Sequence, residues 1–274
     1  MTPRPPESPA TAFAVALLEE FHRLGVRDIV LGPGSRSQAL ALAAAEFERL
    51  GMIRLRVRID ERVGGFLALG IAVETGRPVI LITTSGTAVG NLHPAVLEAH
   101  HSGVPLIVIT ADRPESLRGV GSNQTTEQPG IFSSAVRRSW DVAPPNGSAG
   151  ETDAAAALAR DALAAASGPV HLNLAFAEPL SSPFTLAERP LPEPVSVVEL
   201  PVVERVETPA PDLDDLGLQL SAVPGTVVVA GTGAGPRAEE VARELGAPLL
   251  AEIASGAHFG PQLVVAYREL LNTA

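Results

Sequence analysis

The feature that most limits the fold is a repeated alternation. Four short apolar runs, "VRDIVLGP", "IRLRVRID", "RPVILITT" and "VPLIVITAD", are separated by segments with apolar residues at helical spacing. The helical patterns cover residues 9–24, residues 37–50, "ERVGGFLALGIAVETG" closed by Gly76, and "GTAVGNLHPAVLEAHHSG". The last reads as one helix despite its internal proline. Strands that are apolar through their middles and separated by helices belong in a parallel sheet covered on both faces. In "IRLRVRID" alternation places Leu55, Val57 and Ile59 on one face and Arg54, Arg56 and Arg58 on the other. The expected fold class is α/β: a doubly wound parallel sheet, followed by an incomplete second α/β domain.

The pattern fails after Asp112. Residues 113–130, "RPESLRGVGSNQTTEQPG", are polar and punctuated by Gly and Pro. A loop this long inside a compact domain usually carries function. "SSAVRRSWDVAP" resumes the order, a helix is expected over 151–166, and "GPVHLNLAF" is one more strand. The proline-rich residues 183–212 read as a linker. "GTVVVAGTG", "RAEEVARELG" and "PLLAEI" then give strand, helix and strand. The expected organisation is a first domain over 1–182, the linker, and a partial second domain over 213–274. A domain of this kind usually takes roughly 100 to 150 residues, so the second is expected to be incomplete.

Composition removes several chemistries. The 274 residues hold no cysteine, which excludes disulfides, thiolate nucleophiles and cysteine-ligated metals. They hold no lysine, which excludes Schiff bases and a P-loop lysine. Every cationic side chain is arginine, the residue that grips planar two-oxygen anions by paired hydrogen bonds. A net charge of −11 argues against nucleic acid as a partner. An anionic ligand would have to be drawn in by local arginines against that field. No membrane span and no secretory leader are expected, so the cytoplasm is the expected compartment.

Ligands of parallel α/β sheets sit beyond the carboxyl ends of the strands. Four segments occupy those ends here: "GPGSRS", "DERVGG", "TTSGTA" and the long 113–130 loop. They supply Ser35, Arg36, Glu61, Thr84, Ser85, Arg113, Asn123 and Gln124. One carboxylate among arginines, hydroxyls and amides suits a small polyanion. Each residue also has a plainer reading. Ser35 or Ser37 would cap the following helix, and Glu61 would favour a helix start through the dipole. Gly231, Gly233 and Gly235 follow a strand, but the third glycine comes one residue early for a dinucleotide fingerprint. The histidines lack metal-ligand spacing, and no G-x-S-x-G nucleophile elbow occurs.

The runs "RIDERVGGFLALGIA", "TTSGTAVGNLHPAVLEAHHSGVPLIVITADRP" and "GSNQTTEQPGIF" resemble the N-terminal pyrimidine-binding domain of thiamine-diphosphate-dependent enzymes. "PGSRS", "ADRP" and "NQTTEQPG" narrow the resemblance to the MenD family of the menaquinone pathway. The resemblance covers residues 9 to about 182 densely and continues more loosely beyond. It implies that Glu61 hydrogen-bonds the cofactor's aminopyrimidine and promotes formation of its nucleophilic carbon. It implies decarboxylation of 2-oxoglutarate and addition of the remaining unit to isochorismate. Ser35, Arg36, Arg113, Asn123 and Gln124 match the family's substrate contacts. Thr84 and Ser85 fall beside the cofactor. A homodimer is implied, because the family's site lies between two subunits. The family grips the diphosphate through Mg²⁺ with a Gly-Asp-Gly motif in a further domain, and no Gly-Asp-Gly occurs here. The chain by itself is therefore expected to be inactive. Another thiamine-dependent 2-oxoacid decarboxylase, or an anion-binding module without turnover, also fits the residues.

Overall fold

The computed structural model describes residues 8–184 and 223–273. The expected linker lies, beyond Phe184, outside the described residues. The chain forms two compact units, Met1–Val203 and Glu204–Ala274.

In the first unit the strands are β1 (Asp28–Leu31), β2 (Arg54–Val57), β3 (Val79–Thr83), β4 (Leu106–Asp112), β5 (Ser139–Val142) and β6 (Val170–Ala175). They form one sheet in the order β2-β1-β3-β4-β6-β5, parallel throughout. The helices are α1 (Pro9–Arg23), α2 (Gln38–Arg49), α3 (Glu61–Thr75), α4 (Thr87–Gly90), α5 (His93–His101) and α6 (Glu151–Ala165). Side chains alternate across each strand, so each strand feeds two cores. Ile80, Ile82, Ile107 and Ile109 join the helices α1, α2 and α6 on one face. Leu81, Leu106 and Val108 join α3 and α5 on the other.

Two local expectations need correction. The segment after β3 is two helices, because the chain turns at Asn91 and Leu92 before Pro94 enters the first turn of α5. Proline fits that position, where its missing N–H costs no helical hydrogen bond. β2 stops at Val57, and Val57 and Ile59 are 48% and 87% exposed. β2 is an edge strand, so alternation there does not report a buried face. Its arginines answer instead to the buried Asp28, with Arg54 Nε at 2.9 Å and Arg56 Nη1 at 2.8 Å.

The second unit holds β7 (Val228–Ala230), α7 (Arg237–Leu245) and β8 (Leu249–Ala251), with β7 and β8 parallel. A short α8 (Tyr267–Asn272) follows.

A polar network lies inside the first unit's sheet. His171 Nε2 is 2.8 Å from Thr110 Oγ1, and that hydroxyl donates to Asn173 Oδ1 at 2.8 Å. With the threonine proton committed, Nε2 is the donor and Nδ1 accepts from Ser139 Oγ at 3.2 Å. The neutral ring is satisfied at both nitrogens, and burial pushes its pKa down to about 4. The folded pKa lies below the unfolded value, so the unfolded state takes up the proton first. Stability from this group is complete above about pH 6.5 and falls as the pH drops toward 4, by up to roughly 3 kcal/mol. Urea unfolding across that range should show the loss, and His171→Gln should flatten the slope.

Candidate functional site

Because all six strands are parallel, the loops after β1, β2, β3 and β4 leave the same edge of the sheet. The β1 loop stays close to the sheet because Gly32 N donates to Ile82 O at 2.8 Å. A side chain at Gly34 would place Cβ 2.3 Å from Thr84 Cβ, so this position tolerates only glycine. The loops after β1 and β3 thus touch backbone against side chain.

Glu61 opens α3. Asp60 caps the helix by accepting from Val63 N at 3.0 Å. Gly65 lets α3 approach α5, since a Cβ there would lie 2.9 Å from Ala95 Cβ. The helix is thereby fixed with Glu61 at the sheet's rim. Asn91 Nδ2 donates to Glu61 Oε2 at 3.2 Å. Among the described residues no arginine or histidine pairs with this carboxylate. Gly32 packs tightly beside it: a Cβ there would stand 3.2 Å from Glu61 Cγ and 3.3 Å from Thr83 Oγ1, closer than ordinary contact.

A second cluster forms after β4. Arg113 is buried, and its Nη1 donates to Ser85 Oγ at 2.7 Å and to the Gln124 carbonyl. Ser85 Oγ donates to the same carbonyl at 3.0 Å, and Gln124 Nε2 returns a bond to Ser85 O at 3.0 Å. Gln124 holds φ at +53°, and a Cβ at Gly86 would meet its Cγ at 2.9 Å. Burial, and next the nearby Arg36 guanidinium, push the Arg113 pKa down. Arg36 Nη1 donates to Phe176 O at 2.9 Å, while its Nε is buried without a partner.

The sequence-derived residues therefore fall in two groups at one edge. Ser85, Arg113 and Gln124 interlock, with Arg36 close enough to repel Arg113. Glu61 stands with Gly32, Thr83 and Asn91. Thr84 is buried against Gly34. Ser35 and Asn123 are exposed, and Asn123 makes no side-chain hydrogen bond among the described residues. The helix cap expected at Ser35 or Ser37 is not formed by a side chain. Ser37 Oγ instead donates to Gly34 O at 3.1 Å. Among the described residues no group of three or more His, Cys, Asp or Glu could hold a metal ion.

Sequence reasoning missed the residues beneath the loop. Gln128 is fully buried; its Oε1 accepts from Gly86 N at 2.9 Å, and its Nε2 donates to Asn173 Oδ1 at 2.9 Å and to Ala111 O at 3.1 Å. Asn173 Nδ2 donates to Asp112 Oδ2 at 2.9 Å and Asp141 Oδ1 at 2.8 Å. Arg118 closes the set on Asp112 at 2.9 Å. The available signal was polarity inside "VHLNLA", where a buried strand has no room for unpaired amides.

Residues 11–134 match the thiamine pyrophosphate enzyme, N-terminal TPP binding domain family. The chain is 59% identical to a 2-succinyl-5-enolpyruvyl-6-hydroxy-3-cyclohexene-1-carboxylate synthase of Leifsonia xyli subsp. xyli over 96% of its own length and 44% of the relative's. It is 52% identical to the synthase of the same name from Clavibacter michiganensis subsp. michiganensis over 96% of this chain and 45% of that one. The Thermobifida fusca protein of that name is 54% identical over 63% of this chain. The chain thus spans less than half the length of the Leifsonia and Clavibacter relatives.

Removing the Gln128 amide strands the buried Gly86 N–H and takes a donor from Ala111 O and from Asn173 Oδ1, which keeps Thr110. Gln128→Ala should cost about 2 kcal/mol or more in urea unfolding, whereas Asn123→Ala should stay within about 0.5 kcal/mol of the parent. Equal effects would show that the network does not carry the loop.

Proposed function

The chain belongs to the thiamine pyrophosphate enzymes through the N-terminal TPP-binding domain of residues 11–134, and from that premise we propose that it forms the pyrimidine-binding part of a menaquinone-pathway synthase. When bound, thiamine diphosphate supplies a carbon nucleophile that adds to the ketone of a 2-oxoacid. The chain's own residues bind, orient and handle protons. The Glu61 carboxyl would hydrogen-bond a pyrimidine ring nitrogen and hold the proton at that atom. The supporting observation is its setting: a half-buried carboxylate at the sheet's rim, bonded to Asn91 and without an ion pair among the described residues. Thr84 and Ser85 would wall the cofactor side.

The substrates we propose are 2-oxoglutarate and isochorismate, each a dicarboxylate. Arg36 keeps a buried Nε without a partner, and Arg113 has guanidinium N–H groups beyond the one spent on Ser85 and Gln124. These donors would take a substrate carboxylate, with Ser35 and Asn123 exposed at the rim to complete the contact. Gln124 would act mainly by its backbone, since its amide is committed to Ser85 O. We place the Mg²⁺ and diphosphate grip outside these residues, the whole protein as a homodimer, and its compartment as the cytoplasm. No helix among the described residues is long and apolar enough to cross a membrane.

The chain alone, supplied with thiamine diphosphate and Mg²⁺, should release no carbon dioxide from 2-oxoglutarate. Joined to the remaining portion of the Leifsonia relative, it should release it. Glu61→Gln in the joined protein should slow that release at least about 100-fold. A variant within a few-fold of the parent would remove Glu61 from proton handling.

A further inference from the structure

We infer that Asn91 is a positioning residue for Glu61: its side-chain amide holds one carboxyl oxygen and leaves the other to exchange the proton with the ring nitrogen. The inference rests on the reading of Glu61 above. Asn91 Nδ2 donates to Glu61 Oε2 at 3.2 Å across 30 residues of sequence. Among the described residues no other side chain hydrogen-bonds that carboxyl group, and Oε1 takes no donor. The break between α4 and α5 is what puts the amide there. Asn91 N donates to Thr87 O at 3.1 Å and Leu92 N to Val89 O at 3.1 Å, so the chain turns directly after Gly90. Leu92 is fully buried, and Gly65 lets α5 lie close against α3. The backbone at Asn91 is thus anchored on both sides, while its side chain is exposed and fills no core. Such a side chain contributes little to stability, so its contact with Glu61 calls for another role.

The role follows from what the amide offers. Its nitrogen only donates. An unprotonated carboxyl oxygen accepts that N–H well, whereas a protonated one turns its own hydrogen toward the donor. Oε2 therefore stays unprotonated when Glu61 is neutral, and the proton resides on Oε1. A carboxyl group without such a partner places its proton on either oxygen and turns freely about its last bond, where the torsion is broad. The amide removes that choice and holds one orientation in advance of ring binding. It also favours the charged carboxylate over the neutral acid. Asn91 acts through Glu61 and touches neither the ring nor the reacting atoms.

The test compares wild type, Asn91→Leu, Asn91→Asp and Glu61→Gln by two readouts. The 274-residue chain is titrated by NMR with the bare ring, 4-amino-2-methylpyrimidine, and its melting temperature is measured. The joined protein gives the pH profile of carbon dioxide release. Asn91→Leu keeps the size and loses the donor; it should melt as wild type does and bind the ring roughly fivefold more weakly, the worth of one hydrogen bond. The acid limb of its profile should move up by about half a pH unit. Asn91→Asp should move it further, because it adds a like charge. Asp60 and Arg62, the charged neighbours of Glu61 on α3, are unchanged in every variant. Wild-type binding and an unmoved profile in Asn91→Leu, with weakened binding in Glu61→Gln, overturn the role of Asn91 and leave that of Glu61 standing. Weakened binding with an unmoved profile also overturns it, since Asn91 would then touch the ring itself. Melting of Asn91→Leu well below wild type assigns the amide to the fold and overturns it too. A ring that binds wild type and Glu61→Gln equally, or neither, overturns both readings together.

Discussion

The candidate site depends on how β1 meets β3. The parallel register carries on one residue past the end of β1, where Gly32 N donates to Ile82 O at 2.8 Å. That bond draws the β1 loop onto the sheet instead of letting it rise into solvent. It brings a residue without a side chain beside Thr83 and the first turn of α3. A methyl group at Gly32 would press on Glu61 and Thr83, and one at Gly34 would collide with Thr84. The sheet and the glycines of the β1 loop therefore set how closely the loop packs on the carboxylate's residue.

The arginine cluster rests on a different foundation. The 113–130 loop has almost no apolar residues to bury, so a hydrophobic core cannot fix its path. Gln128 substitutes for one, tying the Gly86 turn to β4 and β6 through three buried hydrogen bonds. The loop then presents Arg113 beside Ser85 with its charge partly desolvated, close to Arg36. Two guanidiniums held this close repel each other unless an anion lies between them. Holding them together inside a chain of net charge −11 makes the cleft a local exception to the protein's field.

Periodicity made much of the fold legible. α1, α2 and α6 and the strands β1, β3, β4 and β6 lie where apolar spacing and the glycine stops put them, because those elements bury apolar faces. The reading failed where burial was not the deciding force. At β2 the edge position leaves Val57 and Ile59 exposed, and Asp28 recruits the arginines. At residues 91–92 turn geometry splits a continuous apolar pattern into two helices. In the site, residues carried by short motifs were found because each motif ends a strand at the same edge. Gln128 and Asn173 were not, because their meaning depends on partners up to 63 residues away. No local spacing encodes such a relation.

The central claim is that the Glu61 carboxylate at the sheet's rim receives an aminopyrimidine ring. A crystal structure of the chain soaked with thiamine diphosphate would test it most directly. The account requires density for the ring at the first turn of α3, with a ring nitrogen within hydrogen-bond distance of a Glu61 carboxylate oxygen. Density for the ring elsewhere, or a Glu61 side chain swung away into an ion pair, would contradict the account.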